Sequence, residues 1–153
     1  MTSASLPFVD EHSLEVAASP EQTWAAVLRT AEGSLGSPRA ERGARLLGCA
    51  DVGAAGPRPL AVGSTIPGFH VEVAEPARQL ALVGRHRFSN YALTFRLDSI
   101  DGGTRLRAET RAEFPGLQGR AYRAMVIGTR MHVLVTRRLL DAAKRRAERN
   151  RPA

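Results

Sequence analysis

Two stretches of strict alternation followed by one long amphipathic stretch occupy the last third of the chain, and that order constrains the fold more than any motif. Residues 91–114 alternate apolar and polar groups with the period of a strand, while residues 119–149 repeat apolar groups at helical spacing without a proline. A helix of that length runs about 45 Å, enough to span a small domain. A curved sheet closed by such a helix encloses a hollow, so the pattern predicts a holder of small molecules.

The chain has 153 residues, which predicts one domain over residues 1–153 with a core that needs neither metal nor disulfide. Cys49 is the only cysteine; it reads as a small buried hydrophobe and excludes an internal disulfide. No apolar run reaches the roughly 18 residues of a membrane span. Residues 1–7 carry neither the basic start nor the apolar stretch of an export signal, so the expected location is cytoplasmic.

The formal charge of +7 is unevenly spread. Residues 1–77 hold 5 basic groups and 9 acids, a net of −4, whereas residues 78–153 hold 17 and 6, a net of +11. Such asymmetry fits contact with nucleic acid or an anionic membrane. A plainer reading is that arginine does ordinary surface duty, since Lys144 is the only lysine and the chain is rich in Ala, Gly and Pro. Neither nucleic acid nor an anionic membrane surface is therefore the expected partner.

Along the chain, residues 8–17 read as a first strand with Phe8, Leu14 and Val16 on one face together with Asp10 and His12. Ser19 offers an N-cap oxygen and Pro20 suits the first turn of a helix over residues 20–31, with Trp24, Val27 and Leu28 on one side and Gly33 as its stop. Residues 34–44 read as a broken second helix and residues 45–52 as a second strand, followed by a loop at 53–59. Phe69, Val71 and Val73 share one strand face until Pro76. Leu80, Leu82, Gly84, His86 and Phe88 share the next, opposite Arg85 and Arg87. Tyr91, Leu93, Phe95 and Leu97 form the best-alternating strand; Asp101-Gly102-Gly103 turns it. The return strand sets Leu106, Ala108, Thr110, Ala112 and Phe114 against Arg105, Arg107, Glu109, Arg111 and Glu113, which predicts a sheet with one charged, wet side.

Phe114-Pro115-Gly116 redirects the chain into the terminal helix. There Tyr122, Met125, Val126, Thr129, His132, Val133, Thr136, Leu139, Leu140 and Ala143 fall within one broad arc, and Arg123, Arg130, Arg137, Arg138, Lys144 and Arg145 lie mostly on the other.

A strand, a helix pair, a run of antiparallel strands and a long closing helix together resemble the helix-grip layout of the START-like (SRPBCC) superfamily, which includes Bet v 1 relatives and polyketide cyclase-like proteins. The opening strand leading into Ser19-Pro20-Glu21-Gln22-Thr23-Trp24 matches the "apolar–Pro–acidic–x–x–Trp" start common there, and Pro76 to Leu80 matches its Pro-x-x-x-Leu passage. The resemblance implies an α+β fold with a curved antiparallel sheet wrapped around the C-terminal helix and a hydrophobic pocket between them. It carries over no catalytic motif, and relatives bind lipids, sterols, flavonoids or polyketides.

Within that frame His132 is the leading polar candidate, for ligand orientation or, as the weak catalytic candidate, for proton transfer. It stands three residues after Thr129 and four before Thr136, so all three share a helix side. His86 and Tyr91 read as inward groups near one end of a cavity, with Phe95 further along the wall and Tyr122 and Met125 across from them on the helix. His86, Tyr91, Phe95, Tyr122, Met125, Thr129, His132 and Thr136 are thus the expected ligand-binding set. The four histidines lack metal-ligand spacing, and no glycine-rich phosphate loop is present, so neither metal nor cofactor is expected.

Three function classes follow. The first is a binding protein for one small apolar or aromatic molecule, lipid-like or polyketide-like. The second is an enzyme of cyclase, aromatase or dehydratase type in the same pocket, for which Asp10 is the one inward carboxylate. The third is an interaction module whose basic helix end, Arg137 to Arg151, docks on nucleic acid, ribosome or anionic lipid. A monomer or a homodimer suits all three.

Overall fold

In the computed structural model, which describes residues 2–150 and 152, the alternating stretches become the centre of a six-stranded sheet. Its strands are β1 (Phe8–Val16), β2 (Thr65–Ile66), β3 (Phe69–Glu75), β4 (Gln79–His86), β5 (Ser89–Ile100) and β6 (Gly103–Glu113). They lie in the order β1-β6-β5-β4-β3-β2, every neighbour antiparallel, so the sheet is a curved meander with the first strand added at its far edge. Register sets rows across the inner face: Asp10, Thr110, Leu93, Leu82 and Val71 form one, and His12, Ala108, Phe95 and Leu80 the next.

Two bulges change faces that alternation alone assigns. Phe8 pairs with Arg111 and Asp10 with Thr110, so Val9 is an extra residue in β1. Phe8 therefore lies on the outer face, its ring 5.9 Å from the Arg111 guanidinium and exposed, rather than beside Asp10 and His12 as expected. A second shift between Val71 and Val73 places Val73 opposite the outward Ala81 instead of on the face of Phe69 and Val71.

The outer face is also less wet than the charge pattern predicts. A short 3-10 turn, Ser3–Ser5, delivers Leu6 onto Val83 and Ala92, and all three are buried. Arg111 holds this segment by donating to the Leu6 carbonyl at 2.9 Å while pairing with Glu109. Further out, Arg107 bonds Asp98 at 2.8 Å and lies 3.6 Å from Glu11, the solvated lattice the pattern implies.

Four helices complete the structure: α1 (Pro20–Leu35), α2 (Pro38–Leu47), α3 (Gly116–Val126) and α4 (Met131–Arg149). Ser19 and Gln22 cap α1 reciprocally, the Ser19 hydroxyl accepting from the Gln22 N–H at 3.2 Å and the Gln22 side chain from the Ser19 N–H at 3.0 Å. Helix α1 continues through Gly33, where it was expected to stop, because Ala26, Val27, Leu28, Thr30 and Ala31 bury one face and outweigh the local cost of glycine, about 1 kcal/mol. Residues 45–52 are not a strand. Ser37 caps α2, Pro38 begins it, and it runs to Leu47 before Gly48 ends it in the left-handed conformation, φ 69°.

The closing helix differs most from expectation. It is two helices, because residues 127–130 break the ladder and Arg130 sits at φ 57°. A Cβ on Gly128 would overlap the Ala124 carbonyl, so this turn is built around glycine. Beyond the break, α4 lies against α1 and β1, and its Leu139, Leu140, Ala143 and Ala147 join Val16, Val27, Leu28, Leu80, Leu82, Phe95, Leu97 and Leu106 in the core. Helix α3 buries only Gly119.

Candidate functional site

The sheet, α4 and α1 are close-packed at the Ala147 end, so the chemistry gathers at the opposite end, under the break between α3 and α4. There Asp10, on β1, faces α4 and accepts from two imidazoles. Nε2 of His132 lies 2.8 Å from Asp10 Oδ2, and Nε2 of His12 lies 3.1 Å from the same oxygen. With Nε2–H donated to a carboxylate, the neutral imidazole of His132 keeps its lone pair on Nδ1. That nitrogen is buried and has no protein partner, and the same holds for Asp10 Oδ1 and Thr110 Oγ1. Thr110 is the direct cross-strand neighbour of Asp10. An unpartnered buried polar group costs about 1–3 kcal/mol, so three of them around one residue pair are a concentrated, unsatisfied polar spot.

A hollow of about 360 Å³ opens beside this spot, lined by Pro7, Phe8, Val9, Ala112, Glu113, Phe114, Arg123 and Ile127. Its sheet side is the end of β1 and β6 and its other side is α3. Ala112 follows Thr110 by two residues on the same face, roughly 7 Å along the strand, so the polar spot lies one inward-facing position along β6 from the hollow. A second depression of about 400 Å³ runs along Arg120, Arg123, Ala124, Ile127 and Gly128, sharing Arg123 and Ile127 with the first.

Apart from His132, the expected ligand-binding residues divide into three groups. His86, Tyr91 and Tyr122 come together: ring centroids are 5.2 Å apart for His86 and Tyr91 and 4.8 Å for His86 and Tyr122, with Phe88 stacked on Tyr122 and Phe114 tilted against it at 6.3 Å. The Tyr91 hydroxyl donates to the Gly68 carbonyl at 2.6 Å, and the Cys49 sulfur stands 3.7 Å away. Burial first, then the neighbouring Cys49, pushes the Tyr91 phenol well above the usual tyrosine range; Tyr122 is raised by the same two causes. His86 Nδ1 accepts from the Phe88 N–H at 3.1 Å, and burial lowers its pKa. Phe95 and Thr136 are buried, the Thr136 hydroxyl donating to the His132 carbonyl at 2.8 Å. Met125 and Thr129 are exposed, and the Thr129 hydroxyl donates to the Met125 carbonyl within its own turn. None of the eight lines either hollow; Tyr122 comes nearest, through Phe114.

No protein-family profile matches the chain, and no curated protein is similar to it in sequence. Solved structures do match in shape. The di-domain ARO/CYC StfQ from the steffimycin biosynthetic pathway superposes with a TM-score of 0.57 at 12% identity, over 96% of this chain and 52% of StfQ. Ara h 8.0201 gives 0.54 at 9% identity, over 92% and 97% of the two chains. CalU16 from Micromonospora echinospora gives 0.50 at 15%, over 90% and 82%. The chain has the helix-grip fold.

Within this helix-grip fold the gripped element is α4, and α3 is an attached flap. Helical spacing marks His132 and alternation puts Asp10 and His12 on one strand face, but nothing local in the sequence joins the strand to the helix. The signal was there in the alternation of β1, where an aspartate and a histidine two residues apart interrupt an otherwise apolar inner face. The lining of the hollow was not foreseen, because Phe8 and Val9 owe their positions to the bulge. Among the described residues no group of three or more His, Cys, Asp or Glu is arranged to hold a metal ion, and no helix is long and apolar enough to cross a membrane.

Proposed function

We propose that the chain binds one small, largely apolar molecule at the end of the sheet beneath α3. The observation that carries this reading is the pairing of a hollow walled by Val9, Ala112, Phe114 and Ile127 with polar atoms that have no protein partner one inward-facing position along β6. A ligand with an aromatic or aliphatic body and one carbonyl or hydroxyl would place the body against those walls and the polar atom on His132 Nδ1 or Thr110 Oγ1. His86, Tyr91 and Tyr122 act as the aromatic backing behind Phe114, and Met125 and Thr129 stay outside. The fold supports the class of function and not the compound: StfQ and Ara h 8.0201 share the architecture at identities too low to transfer a ligand.

A thermal-shift screen of aromatic, polyketide-like and fatty compounds tests the reading. Ile127→Trp, at a half-buried position in the wall, is expected to abolish the shift given by the best compound while the unliganded melting temperature is kept. A compound that shifts Ile127→Trp as strongly as the parent would place the ligand elsewhere.

A second reading is favoured by the Asp10–His132 pair. A histidine oriented by a carboxylate and keeping a lone pair on its other nitrogen is equipped to remove a proton from a carbon beside a carbonyl. The enolate oxygen would then take a hydrogen bond from the Thr110 hydroxyl. Such acid–base help is worth about 10²–10⁴ in rate. Under this reading His132→Gln keeps ligand binding and loses turnover by that factor; equal loss of both would leave binding as the whole function.

A further inference from the structure

The first turns of α4 carry an apolar stripe on the face turned away from the core, and α3, which buries only Gly119, carries another. On α4, His132, Thr136, Leu139, Leu140 and Ala143 turn inward. Met131, Leu134 and Val135, at i, i+3 and i+4, form a second stripe that faces solvent, with Met131 59% and Leu134 50% exposed. On α3, Leu117, Ala121, Ala124 and Met125 repeat the arrangement at i, i+4, i+7 and i+8; all are exposed, Leu117 by 81%. An amphipathic helix built only to cover a core has no use for an apolar outer stripe.

The charges around these stripes are of one sign. Residues 114–140 contain five arginines, Arg120, Arg123, Arg130, Arg137 and Arg138, and no carboxylate. All five are exposed, and among the described residues none of them is in an ion pair. Elsewhere Arg45, Arg58, Arg105, Arg107 and Arg111 each have a carboxylate partner.

We infer that the α3–α4 junction is a docking surface for an anionic lipid bilayer. Aliphatic side chains interleaved with unpaired guanidinium groups match the interface of such a bilayer. The apolar stripe enters the headgroup boundary while the arginines meet lipid phosphates and carboxylates. Nucleic acid suits the charge but not the stripe, since Leu, Met and Val offer no base-stacking plane. A two-fold dimer through this face would set the same arginines against one another. The inference stands apart from the identity of any small ligand, although the docked face adjoins the hollow through Arg123 and Ile127.

Vesicle co-sedimentation tests it, with phosphatidylcholine vesicles compared with phosphatidylcholine–phosphatidylserine vesicles. The full chain is expected to pellet with the anionic vesicles only, and binding is expected to fall about tenfold or more between roughly 50 and roughly 500 mM salt. Met131→Ser with Leu134→Ser, and separately Arg130→Glu with Arg137→Glu, should each weaken binding about tenfold. All four positions are exposed, so melting temperatures should be unchanged and a folding failure would be visible as a loss of melting transition. Three results would overturn the inference. One is no pelleting with anionic vesicles at low salt. Another is binding that the Met131/Leu134 double variant leaves intact while heparin competes it away, which would point to a polyanion instead. The third is a dimer in light scattering that Leu134→Ser dissociates, with no vesicle binding.

Discussion

Nε2 of His132 lies 2.8 Å from Oδ2 of Asp10 although 122 positions separate the two residues, and this contact fastens α4 to the edge strand β1. Both side chains are mostly buried, so their hydrogen bond is sheltered from competing water. A double-mutant cycle with Asp10→Asn and His132→Gln is expected to show a coupling of about 0.5–3 kcal/mol in urea unfolding. Additive effects would mean that the two residues stabilise the fold independently.

The Tyr91 hydroxyl supports the turn at Gly68, and Gly84 makes room for its ring. Tyr91→Phe leaves the Gly68 carbonyl without that donor and should cost about 1–3 kcal/mol. Gly84→Ala should be at least as damaging, because a Cβ there would overlap both the Gly68 carbonyl and the Tyr91 ring. Equilibrium unfolding measures both; a Gly84→Ala protein as stable as the parent would show that this end of the sheet yields more easily than its packing implies.

His86 predicts how stability depends on pH. Burial lowers its pKa, so the unfolded chain takes up a proton at this residue at a higher pH than the native protein does. Its contribution is therefore complete above the ordinary histidine value of about 6.5 and declines as the pH falls below it. Protonation of Nδ1 would also break the bond from the Phe88 N–H. Melting temperatures recorded from about pH 7 to about pH 5 should fall less for His86→Gln than for the parent. Parallel curves would show that another group controls the acid limb.

Tyr122 is the main anchor of α3, touching His86, Phe88 and Phe114 in a helix that otherwise buries only Gly119. Tyr122→Ala should free the flap without melting the core. Limited trypsin digestion would then cut at Arg120 or Arg123 several-fold faster, while the main unfolding transition stays close to that of the parent. Unchanged cleavage would mean that the backbone packing of Gly119 on Phe114 suffices to hold α3.

How far the chain could be read follows from the range of each signal. Alternation in β4, β5 and β6 is local and strong, so Leu80, Leu82, His86, Tyr91, Phe95 and Ala108 all lie inward as read. Capping is local too, and Ser19 with Pro20 marked the start of α1. The second helix expected over residues 34–44 is present as α2, but its end is hard to place because its apolar face is slight, with Ala44 its only buried residue, so residues 45–52 pass for a strand. The break at residues 127–130 was missed because Gly128 tolerates a helix and its effect appears only with Arg130 in the left-handed region. The candidate site was half legible: its histidine stood out, whereas the carboxylate that orients it comes from the other end of the chain and needed the topology.

Because Val9 is an insertion in register, Phe8 is out of phase with the rest of β1. Substitutions at Phe8 or Pro7 can reshape the rim of the hollow without being transmitted to Asp10 and His12. The bulge thus separates Phe8, at the rim of the hollow, from the inward residues of β1 that hold α4.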